Sequence, residues 1–235
     1  MTIPKGKEAL YSGSSIVEVE VKKCCDWLGF SYTDNGWHYL SATIKEFIAN
    51  PNIKYNKSLL SNYYRSFQPK SIQDCFFYKG DGFPSVSSKL TRLPWGTTVN
   101  MKPKNNQHFG PNSDTFVENE FRRTKRIYNK IASEGYQPEK YRDGYIRGHF
   151  FKNDNDYRFM LASGQHRMAV LGVLGYQTIQ VKIHPNWKRV IDKEDLLSWP
   201  YVHRGTYDKE SACKIFNAYF TNTGREKAQK LNLLN

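Results

Sequence analysis

Three features of the sequence predict an α+β fold. Some stretches alternate apolar and polar residues, others repeat apolar residues every three or four positions, and tyrosine and phenylalanine crowd near the N-terminus. The strand-like and helix-like stretches interleave, which predicts a small mixed sheet with helices and an aromatic-rich N-terminal extension packed on it. Hydrophobic residues make up 39% and aromatics 15% of the 235 residues. That is enough for a sizeable core, and a disordered chain would be poor in both.

In chain order, Ile16 to Val21 sets Val17, Val19 and Val21 against Glu18 and Glu20, the pattern of a half-buried strand. Ser41 to Ala49 reads as a short helix stopped by Asn50-Pro51. Residues 54–78 carry Tyr55, Tyr63, Tyr64, Phe67, Phe76, Phe77 and Tyr78, a density typical of a core or an interface. Residues 79–88 and 96–113 are rich in Gly, Pro, Asn and Ser and read as loops, the second long enough for a functional role. A boundary near residue 107 separates this N-terminal portion (1–107) from a more regular one (108–235).

Beyond the boundary, Thr115 and Glu118 stand three apart as a capping box for a helix over 116–134. Val117, Phe121, Thr124, Tyr128 and Ile131 mark its apolar face, and Gly135 closes it. Tyr145–Phe151 and Tyr157–Ala162 read as strands joined across Asn153–Asp156. Gln165–Leu174 reads as a helix ended by Gly175, Thr178–Ile183 as a strand, and Asp208 as the cap of a last helix burying Ala212, Ile215, Phe216 and Tyr219.

The charge balance excludes little. Thirty-five Lys and Arg against 22 Asp and Glu give +13, which favours anionic partners: nucleotides, nucleic acid or phosphorylated substrates. The excess is spread over both portions, net +6 and +7, with no basic tail, so DNA is possible but not favoured. No apolar run reaches a membrane span, and the N-terminus lacks the apolar stretch of a secretory signal, so a cytoplasmic protein is expected. Cys24, Cys25, Cys75 and Cys213 lack metal-ligand spacing and are expected as reduced thiols, and no side-chain motif marks a metal site.

The chemically informative stretch is 157–183: strand, tight turn, helix, glycine, strand. The turn carries Ser163, Gly164, Gln165, His166 and Arg167. Free amides at a helix start attract anions, and Gly164 lets a phosphate approach the backbone. Cations in a first turn oppose the helix dipole, so His166 and Arg167 gain no helix stability there. A bound phosphate would account for them, as would an Arg–carboxylate pair and a hydrogen-bonded core histidine.

The Gly164-x-His166-Arg167 turn, Ala169, Leu174-Gly175 and the Ile179-Gln-Val181 strand resemble the ParB/sulfiredoxin superfamily, as does the preceding Ile131–Pro138 stretch. The resemblance covers residues 114–183. It implies a nucleotide-phosphate cradle at Gly164, Gln165, His166 and Arg167. The sulfiredoxin catalytic cysteine falls at Gln165, so sulfinic-acid reduction is not expected. About 50 residues with one clear helix follow Ile183, so the helix-turn-helix module of partition proteins is not expected either. The flanks NKSLLSNYYRSFQPKSIQDCFF, LPWG and WPYVHRGTY resemble ParB-like proteins encoded with bacterial surface-polysaccharide genes, which favours a small-molecule or sugar substrate.

The resemblance to superfamily serine kinases implies a catalytic glutamate near the helix before the turn. Glu120, off the Phe121–Tyr128 face, is the candidate base or Mg²⁺ organiser, with Asp114 and Glu118 in reserve, and His166 of the turn is the second candidate catalytic residue. Arg123 and Arg126 could clamp phosphate, and His108 in the preceding loop could contact substrate. The expected cofactor is Mg²⁺ with a nucleoside di- or triphosphate, ATP or ADP favoured. The leading expectation is a phosphotransferase acting on a small metabolite. A DNA-binding protein or nuclease, and a nucleotide sensor without turnover, are the alternatives.

Overall fold

The structure, a computed structural model, describes residues 3–77 and 90–234. Tyr78 and the loop expected at 79–88 lie outside them. The elements run α1 (Glu8–Tyr11), β1 (Ile16–Glu20), β2 (Cys24–Cys25), α2 (Tyr39–Ala49), α3 (Leu59–Ser66), α4 (Ile72–Phe77), α5 (Asp114–Glu134), β3 (Arg147–Asn153), β4 (Asp156–Ser163), α6 (Gln165–Val173), β5 (Thr178–Ile183), β6 (Val190–Asp192), α7 (Pro200–His203), α8 (Lys209–Thr221) and α9 (Arg225–Lys230). The fold is α+β, as the interleaved periodicities predict.

The six strands form one mixed sheet in the order β1-β5-β3-β4-β2, with β6 also paired to β3. β3 and β4 are an antiparallel hairpin closed at Asn153 and Asp156, with Asp154 in the left-handed region at φ 50°. β5 lies parallel to β3 and antiparallel to β1. β1 and β2 come from before residue 107 and the other strands from after it, so the sheet spans that boundary. Val17 and Val19 are buried, as the alternation in β1 requires.

Two aromatic clusters form much of the core. Trp95 packs edge-on against Phe151, Trp199, Phe216 and Tyr219. This seats α8, whose buried face is the expected Ala212, Ile215, Phe216 and Tyr219, capped by Asp208. In the other cluster Tyr39 of α2 stacks on Tyr63 of α3 with ring centres 4.2 Å apart. All four cysteines are free. No helix among the described residues is long and apolar enough to cross a membrane.

Four expectations need correction. α5 is capped by Ser113, whose Oγ accepts from the Phe116 amide at 3.3 Å, and not by a Thr115–Glu118 box. Asn105 Oδ1 decides this by accepting from both the amide and the hydroxyl of Ser113. Glu118 is left to pair with Arg122 at 2.6 Å. α2 starts two residues early because His38 Nδ1 accepts from the Leu40 amide and caps it. Glu120 lies on the buried face of α5 with Val117, Phe121 and Thr124. After Ile183 the chain forms three helices, α7 to α9, instead of one.

Candidate active site at the start of α6

β4 leads into α6 through Gly164, which sits at φ 90°, a conformation costly for any residue with a Cβ. A Cβ there would also meet Ile146 Cγ1 at 2.8 Å, so both torsion and space demand glycine. No side chain among the described residues caps the start of α6. The first-turn amides therefore depend on solvent or a ligand for partners. Further along, a Cβ on Gly172 would meet the Tyr32 carbonyl oxygen at 2.2 Å, so the helix lies directly against that backbone. α6 packs on both α2 and α5.

That packing brings His166 to Glu120, residues 46 positions apart in sequence. His166 Nε2 lies 3.0 Å from Glu120 Oε2, with the two residues 5% and 6% exposed. Neither atom has a hydrogen-bond partner of good geometry among the described residues, so the pair is close but its bonding capacity is unspent. Arg123 Nη1 and Gln107 Nε2 both approach Glu120 Oε1 at 3.5 Å. Burial by itself would raise the Glu120 carboxyl. His166 and then Arg123 outweigh it and hold the carboxyl below its ordinary value. Glu120 is therefore a carboxylate at neutral pH.

Loop 105–112 reaches the pair through Gln107 and is braced from within. The Asn106 side chain donates to the Asn100 and Lys102 carbonyls and accepts from the His108 amide, while Asn112 donates to the Asn106 carbonyl. Three tyrosines then clamp it: the Tyr39 and Tyr64 hydroxyls donate to the Gln107 carbonyl at 2.7 and 2.9 Å, and Tyr63 donates to the His108 carbonyl at 2.6 Å. The aromatic-rich stretch thus positions a loop as well as filling a core. His108 is partly buried, and burial lowers its imidazole to about 4, so it is neutral at pH 7. Gln165 Nε2 lies 3.3 Å from His108 Nδ1 and joins the loop to α6.

The structure thus gathers Glu120, His166, Gln165, His108 and Arg123. No protein-family model, curated protein or solved structure matches the chain. Arg167 is buried and turned another way: its guanidinium donates to the Gly144 carbonyl and lies 4.8 Å from the Tyr141 ring centre. Burial pulls it below its ordinary value, against Tyr136, Asp143 and Tyr141. Ser163 is half-buried at the end of β4, Asp114 and Arg126 are exposed on α5, and Glu118 is taken by Arg122. Gln107 and the three tyrosines were not foreseen. The Asn-Asn-Gln-His run, four side chains able to bond the backbone of their own loop, was the available signal.

Proposed function

We propose that this chain is a nucleotide-dependent phosphotransferase acting on the hydroxyl of a small metabolite or sugar. The observation that carries the proposal is the buried Glu120–His166 pair beside the uncapped start of α6. Proton transfer from an attacking hydroxyl needs a base within hydrogen-bond reach. His166, its Nε2 facing an ionised Glu120, would meet that need through its other ring nitrogen, Nδ1, and its first-turn position sets it beside the amides that would hold the transferring phosphate. Arg123, paired with Glu120 at 3.5 Å and with its side chain 39% exposed, is placed to meet phosphate oxygens as well. Arg167 instead fixes the turn by tying it to Gly144.

Mg²⁺ usually binds through one or two carboxylates plus the phosphates of its nucleotide. Glu120 fits that donor set as an ionised carboxylate. When bound, the ion would neutralise phosphate charge. The resemblance of the 157–183 stretch to the ParB/sulfiredoxin superfamily also supports a nucleotide at this turn.

A thermal-shift panel of ATP, ADP, CTP and GTP with Mg²⁺ tests the reading, since a ligand that binds the folded state raises the midpoint. At least one nucleotide is expected to do so. Glu120→Gln should keep that shift and lose phosphoryl transfer. No shift with any nucleotide overturns the proposal. A shift without transfer in the wild type leaves a nucleotide sensor in its place.

A further inference from the structure

A groove of about 600 Å³ opens between the 92–98 turn, the 184–191 segment and α7, and shares no residue with the Glu120–His166 site. Arg92, Lys188 and Arg204 line it, with His184, Trp187 and Tyr201 between them and no carboxylate among the described lining residues. Trp187 stacks on His184 with ring centres 4.4 Å apart, and the Arg204 guanidinium lies 5.7 Å from the Tyr201 ring centre. Lys188 is held by Asp195 at 2.7 Å. Arg92 and Arg204 are exposed and have no acidic partner within ion-pair distance among the described residues. Burial, and then Arg147, lower the His184 imidazole, so at neutral pH it contributes a ring and not a charge.

We propose that this groove binds single-stranded nucleic acid. Alternating cations and half-exposed aromatic faces meet two needs at once: guanidinium groups neutralise backbone phosphates, and rings stack on bases. Stacking accepts any base, so the site would be tolerant of sequence. A duplex hides its base faces and would find only the charges. The overall +13 draws such a polyanion in, while the missing carboxylates and the flat Trp187–His184 pair select for a ligand with aromatic faces.

The test is fluorescence anisotropy with a labelled oligothymidine and with an abasic strand of the same length, across a salt series. The oligothymidine is expected to bind at least about tenfold more tightly than the abasic strand, and Trp187→Ala to remove that margin. Trp187→Phe, which keeps a ring, should restore most of it and guards against misfolding. The double variant Arg92→Ala/Arg204→Ala should flatten the salt slope by about two. Equal binding of the two strands, or equal displacement of both by heparin with Trp187→Ala unchanged, would show a groove that reads charge alone and would overturn the proposal. Glu120→Gln should leave oligothymidine binding intact, so this inference and the phosphotransferase reading can fail separately.

Discussion

Asp26–His38 and Glu120–His166 are the same chemical pair in two surroundings. Asp26 and His38 are essentially unexposed, and their closest atoms are 3.6 Å apart. Asp26 Oδ1 accepts from the Leu28 and Phe30 amides, His38 Nδ1 caps α2, and the imidazole is sandwiched between the Tyr32 and Tyr39 rings. Backbone amides claim Asp26 Oδ1 and His38 Nδ1, and the facing Oδ2 and Nε2 have no hydrogen-bond partner among the described residues. Glu120 and His166 are closer together, yet neither side chain holds a helix end or a turn amide, and their neighbours Arg123 and Gln165 are only partly buried. A buried acid–histidine pair is therefore no mark of function by itself. What distinguishes the second is that no backbone amide claims either side chain and that its neighbours are partly exposed.

The sharpest break between the pairs should come from removing each acid. Glu120→Gln is expected to lower turnover by about 10² to 10⁴, the usual worth of a positioned acid or base, while the fold is kept. Asp26→Ala should do the reverse. It strands two backbone amides and a buried histidine, and a loss of about 3 kcal/mol or more is expected in urea unfolding. If Asp26→Ala abolished turnover in protein shown to be folded, the division between a structural and a chemical pair would be wrong.

How much of this could be read from the sequence depends on how local each cause is. The Ser163–Arg167 turn, β5 and α8 were legible because a glycine, a period or a cap lies within a few residues of what it controls. β2 and β6, of two and three residues, are too short to carry a period. The capping of α5 turned on Asn105, eight residues before Ser113, which breaks the tie between two plausible hydroxyls. Both acid–histidine pairs are tertiary. The Phe121–Tyr128 line alone leaves Glu120 off the apolar face, whereas Val117 and Thr124, three before and four after, place it inside.

Acid sharpens the comparison next. His38 stays below its ordinary value because burial outweighs Asp26, so its imidazole is neutral at pH 7. His108 and His149 are likewise lowered to about 4 by burial. Below pH 6.5 the unfolded chain takes up protons that the fold excludes from these rings. Stability is thus full above 6.5 and falls toward pH 4, with a slope of about 1.4 kcal/mol per pH unit for each such histidine. His149→Gln should reduce the slope by about one proton in urea unfolding at pH 7, 5.5 and 4.5. Glu120 enters only lower, since its depressed carboxyl stabilises the fold above about 4.5 and loses that effect as the pH falls through its folded value. Glu120→Gln should therefore leave the upper window unchanged.

The smallest expected effect asks whether the tyrosine clamp serves the reactive pair or only the core. Tyr64→Phe keeps the ring but removes one of two hydroxyls donating to the Gln107 carbonyl; the other, from Tyr39, remains. Because the carbonyl keeps a donor, the cost should be about 1 kcal/mol or less. Gln107 also approaches Glu120 Oε1, so a looser loop should slacken the setting of Glu120 without touching Asp26. Turnover is then expected to fall several-fold at saturating nucleotide while the nucleotide thermal shift stays put. Tyr63→Phe takes the only hydroxyl seen donating to the His108 carbonyl among the described residues, and it should cost more stability, about 1 to 2 kcal/mol. Equal losses of stability from the two variants, with turnover unmoved in both, would mean that the clamp holds the core and the site is set by α5 and α6 alone.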